Sequence, residues 1–172
     1  MTLSRVRALL VMGTLVAVAA GFVIWAIVRD SQSVAERPER TCPEGAVPAA
    51  TAIPAPKKVK INVYNDTDKD GLASSVAEQL KTRGFQVGKV RNDPDPAPVK
   101  GSAELRYGPA GLGSAHLLRA YFTDAQPEPD VERTGSTVDV VLGMEFRQLA
   151  TPAEVNDALR LIGDPSPPPG MC

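Results

Sequence analysis

The chain has 172 residues, with 19 basic and 20 acidic side chains, 16 prolines, two cysteines and one histidine. A net charge of -1 gives no electrostatic reason to expect nucleic acid, which needs a basic face, and no nucleic-acid partner is predicted. One small folded domain is expected once the biased flanks are set aside.

Residues 1–7 carry Arg5 and Arg7, and 8–28 form an uncharged apolar run ending near Trp25. About 20 apolar residues are needed to cross a bilayer, so this run predicts a single membrane-spanning helix. A cleaved leader is the alternative, with "AVA" at 17–19 as a small-residue site, but the apolar run continues well past it. The short N-terminal flank favours a cytoplasmic N-terminus and an extracytoplasmic remainder. Residues 29–57 are rich in Pro and Ala and read as an extended linker, and 164–172 as a Pro-rich tail of similar kind. Cys42 and Cys172 flank everything between; in an oxidising compartment they are expected to form a disulfide, within one chain or between two.

The segment 58–163 reads as the domain. "VKINVY" (59–64) alternates, with Val59, Ile61 and Val63 on one face, and predicts a half-buried strand. Ala73, Val76, Ala77 and Leu80 fall on one stripe of a helix over 71–83, with Asp70 as its expected cap. Gly84 and Phe85 fit a Schellman ending. "FQVGKV" (85–90) predicts a second strand and "AELRYG" (103–108) a third; a Pro-rich loop lies between them. A second helix is expected over 110–122, a loop around Pro127 and Pro129, and a Val-rich strand over 137–143. Thr151, Pro152 and Glu154 form the capping box of a last helix, with Val155, Ala158 or Leu159, and Ile162 inward. The expected fold is α+β: a small β-α-β-β-α-β two-layer sandwich, ferredoxin-like in spirit, with a four-stranded sheet and a C-terminal helix.

"NDTDKDGLA" (65–73) opens like a calcium loop, with Asp66, Asp68 and Asp70 alternating before Gly71. The twelfth position, which must supply a bidentate acid, is Ala77, and a strand precedes the loop where an EF-hand requires a helix. A polar helix-capping turn is the expectation, and no cofactor is predicted. A single glycine and three aspartates also argue against a phosphate loop. His116 is expected on a partly exposed helix face, and Glu104 with Arg106 as a solvated ion pair. No arrangement here predicts an enzyme.

Val63-Tyr64-Asn65, Gly71-Leu72-Ala73 and Arg83 to Val87 occur in the order and spacing of the LytR C-terminal domain family, followed by Tyr107-Gly108, Ala115 and "VDVVLGMEF" (138–146). The chain resembles that family over about residues 58–148, departing from it in the Asp-rich loop 66–70. The resemblance implies a module of the bacterial cell envelope. The catalytic LytR–CpsA–Psr domain that often precedes such modules has no room here, so its phosphotransferase activity is not implied. A non-catalytic module binding a cell-wall component or an envelope protein is expected; the alternative is a regulatory membrane protein acting through a protein partner. A calcium-responsive adhesion module using the three aspartates is a third reading. The strand and helix order also resembles that of SPOR domains, which bind glycan strands on their sheet face. Asn62, Tyr64, Arg106 and Tyr107 are the candidate ligand surface.

Overall fold

A computed structural model describes residues 12–16, 18–23, 25, 42, 44–95 and 97–172. The chain divides into two compact units, Met1–Thr41 and Cys42–Cys172. In the first, every described residue is helical, and the rings of Phe22 and Trp25 meet edge to face at 5.9 Å. Among the described residues no helix is long and apolar enough to cross a membrane. The expected span over 8–28 falls in part, and the flanks 1–7 and 29–41 entirely, outside the described residues.

The second unit is a five-stranded sheet with helices: β1 (Lys60–Asn65), α1 (Leu72–Thr82), β2 (Gln86–Asn92), β3 (Ala103–Tyr107), α2 (Leu112–Arg119), β4 (Gln126–Pro129), β5 (Val138–Leu142) and α3 (Pro152–Leu161). This mixed sheet keeps the chain in the expected α+β class, but its order is β2-β1-β5-β3-β4. β1 runs parallel to β2 and β5, and β3 parallel to β4; only β3 and β5 are antiparallel. The arrangement is therefore neither four-stranded nor ferredoxin-like, since that sheet is antiparallel throughout.

The extra strand is β4, whose sequence, Gln-Pro-Glu-Pro, reads as a loop. Asp130 donates its amide to Tyr107 O at 2.8 Å. Backbone alternation then turns the even positions toward β3 and leaves Pro127 and Pro129 facing outward. An outer edge needs no amide donor, so proline is tolerated there.

Alternation builds the core. Ile61 and Val63, Ala103, Leu105 and Tyr107, and Val138, Val140 and Leu142 form one cluster with Ala73, Val76, Ala77 and Leu80 of α1 and Leu112, Ala115 and Leu118 of α2. α1 ends as its sequence predicts. Gly84, at φ 93°, donates to Lys81 O and Phe85 donates to Leu80 O, the paired bonds of a Schellman turn. Phe85 packs edge to face on Tyr121 at 4.9 Å. The capping box of α3 is present, and Val155 is buried beneath it.

α2 is shorter than expected and is buried from Leu112 to Leu118, His116 included. Part of the covering comes from the segment that reads as a linker. Ala50 donates to Pro109 O at 3.0 Å and Gly113 donates to Ala50 O at 2.8 Å, so this stretch lies along the start of α2 instead of standing free. A Cβ at position 113 would sit 2.0 Å from Ala52 O, which is why glycine is required there. The tail is likewise not free. Met171 is buried in the core, and Cys172 is bonded to Cys42 with the two Cα atoms 5.7 Å apart.

Candidate functional site

The Asp loop is held by its neighbours. Asn65 Nδ2 donates to Lys69 O at 3.0 Å, and Thr67 Oγ1 donates to Asn65 Oδ1 at 2.8 Å. Asp66 Oδ2 accepts the Val99 amide at 2.6 Å, fastening the Pro-rich loop onto the sheet. The residue at the start of α1 is Gly71, in left-handed conformation and without a side-chain cap, so Asp70 does not fill the expected role. Asp68 and Asp70 are exposed. Among the described residues no group of three metal-ligating side chains could hold an ion.

The sheet face opposite the helices carries the remaining chemistry. A bulge interrupts the β1–β2 register between Ile61 and Val63. Asn62 fills the break: its Oδ1 accepts the Lys89 amide at 2.9 Å, and its Nδ2 donates to Asp139 Oδ1 at 2.7 Å. Arg133 Nη2 donates to the other oxygen of Asp139 at 3.0 Å. Tyr64 is buried with Val99 and Val141 in a small cluster under the Pro-rich loop, with the Arg91 guanidinium 5.5 Å from its ring centre. Tyr107 points the other way, into the helix-covered core. The four candidate ligand residues thus do not form one surface, because positions 106 and 107 alternate across the sheet and Tyr64 is roofed over.

Arg106 is more than half of a solvated pair. Its Nη1 and Nη2 face Asp93 Oδ1 and Oδ2 at 3.1 and 3.0 Å, and its Nε donates to Glu104 at 2.5 Å. Burial works against its charge, but the hydrogen bonds and charges of Glu104 and Asp93 outweigh that and hold it firmly protonated. Arg106 and Glu104 form the floor of a groove of about 690 Å³, bounded by Asp95 and Pro98 on one side and the stretch 128–133 on the other. Both of its arginines are neutralised from within, Arg106 by Asp93 and Glu104 and Arg133 by Asp139. Glu128, Asp130 and Glu132 have no cationic partner among the described residues, so the groove is electronegative. Sequence reading passed over Asp93, Asp139 and this acidic rim. A lone Asp139 inside an otherwise Val/Leu strand was the one available signal.

His116 is 6% exposed, not part of an open helix face. Its Nε2 lies 2.9 Å from Gly163 O, and burial depresses its proton affinity, a loss only partly offset by that carbonyl.

The unit is thus a two-layer domain with one sheet face buried under helices and a charged groove on the other. The family model described as the LytR cell envelope-related transcriptional attenuator matches residues 58–146, and the chain belongs to that family. The crystal structure of the soluble domain of a conserved hypothetical secreted protein from Mycobacterium marinum is similar: 27% identity, 65% of this chain and 73% of that one, TM-score 0.54. No curated protein matches.

Proposed function

We propose that the chain is a non-catalytic module of the bacterial cell envelope, tethered by its N-terminal apolar segment, with the unit from Cys42 to Cys172 outside the membrane. Family membership supports the envelope setting, the secreted M. marinum protein supports export, and the disulfide suits an oxidising compartment. The partner is a cell-wall component or an envelope protein. The observation that carries the binding reading is the groove over Arg106, with Glu128, Asp130 and Glu132 unneutralised on its rim. That charge favours a basic segment of an envelope protein and opposes an anionic polymer. It equally favours the regulatory reading, in which the partner transmits a signal.

The test is cosedimentation of the purified full chain with peptidoglycan sacculi, beside crosslinking in the native membrane from a photoreactive residue at position 131. Crosslinks to a protein that disappear in a Glu128→Lys/Glu132→Lys variant support the groove. Saturable pelleting that ignores this charge reversal would move the function to a wall polymer bound elsewhere.

A further inference from the structure

A second concavity lies on the opposite side of the sheet from that groove, and neither the family match nor the proposed function uses it. It has a volume of about 320 Å³, is open to solvent on one side, and is lined by β3, α2, Pro127 of β4 and the C-terminal segment around Ile162. Small-molecule sites begin near this size, and they combine apolar walls with a few convergent polar groups. Here the polar groups are Tyr107, His116, Arg119, Asp164 and Ser166. Arg119 and Asp164 are oppositely charged and line the same small cavity. Yet they form no ion pair with each other, nor with any other described residue. The charge of Arg119 is felt at both the Tyr107 hydroxyl and the His116 ring, that of Glu128 also at the hydroxyl, and that of Asp164 at His116. The histidine itself is occupied in holding Gly163 O at 2.9 Å, which fixes the segment that carries Asp164. That segment is further fixed by buried Met171 and the Cys42–Cys172 bond.

We infer that this cavity binds a small zwitterion, a free amino acid or dipeptide, with its carboxylate on Arg119 and the Tyr107 hydroxyl and its ammonium on Asp164. A guanidinium and a hydroxyl suit a carboxylate, and an exposed carboxylate without an ion-pair partner suits an ammonium. A dianionic phosphate is disfavoured, because Asp164 would oppose it and only one arginine would meet it.

The test is calorimetric titration of the purified, disulfide-bonded full chain with alanine and with L- and D-alanylalanine. The C-terminal amide and the N-acetyl form of the dipeptide are the controls. One-site saturable binding of a zwitterion is expected, about tenfold weaker for either blocked form. Arg119→Gln should abolish discrimination against the amide, and Asp164→Asn discrimination against the acetylated form. Both side chains are exposed, so thermal melting of either variant should match the parent chain. No saturation by about 10 mM ligand, equal binding of the blocked forms, or unchanged discrimination in the two variants overturns the assignment.

Discussion

Asn62 donates to Asp139 at 2.7 Å across the β1–β5 ladder while its carbonyl oxygen takes the Lys89 amide that the bulge removes from the ladder. One side chain therefore satisfies two groups that the sheet cannot. Asn62→Leu should cost about 1.5–3 kcal/mol, the usual range for losing a hydrogen bond to a charged group, here the part-buried Asp139 carboxylate. Asn62→Asp should cost more, because it sets a second carboxylate against Asp139. Urea denaturation of the two variants checks the order.

Asp66 gives a prediction that separates structural use from metal binding. With Oδ2 engaged by the Val99 amide, millimolar calcium should leave the melting temperature of the parent chain unchanged. Asp66→Ala should cost about 1–3 kcal/mol. It should also expose the Pro-rich loop, read as new proteolytic cleavage between residues 93 and 100.

At Gly113 the close approach of Ala52 O leaves no room for a side chain. Gly113→Ala should destabilise by about 1–3 kcal/mol, the range for overpacking. It should also lift the stretch 46–52 from α2, which hydrogen exchange of the amide at position 113, bonded to Ala50 O in the parent chain, would report.

His116 predicts a pH dependence. Its folded pKa lies below the ordinary histidine value, chiefly through burial. The unfolded chain therefore takes up the proton first on acidification, and stability falls as pH drops through the unfolded value toward the folded one. Above that window the contribution is complete. His116→Gln should flatten this slope in denaturation midpoints measured between pH 7.5 and about 5.

Reduction, or Cys172→Ser, should lower stability by up to about 5 kcal/mol, the chain-entropy ceiling for a bridge across 130 residues. Calorimetry with and without dithiothreitol measures the loss.

What was legible in the sequence was local. The alternation of β1, β3 and β5, the stripe of α1, the Gly84 turn and the Thr151–Glu154 box depend on neighbours within a few residues, and each stands where its pattern puts it. What was not legible depends on distant partners. Strand β4 exists because an outer edge tolerates Pro127 and Pro129. Burial of His116 follows from the tail folding back, and burial of Tyr64 from Val99. No pattern along the chain announces any of these contacts. The candidate ligand residues divide between the two sheet faces for the same reason: Arg106 and Asn62 are engaged by Asp93, Glu104 and Asp139, partners 13, 2 and 77 positions away.

The bond between Cys42 and Cys172 also sets how the unit meets mechanical load. Tension arriving along the chain from before Cys42 passes straight into Cys172, and the 43–171 stretch hangs from that point as a closed covalent loop. A pull from before Cys42 against Cys172 therefore bypasses the sheet and does not unravel it. Only a load applied between Cys42 and Cys172, within the loop, strains the fold.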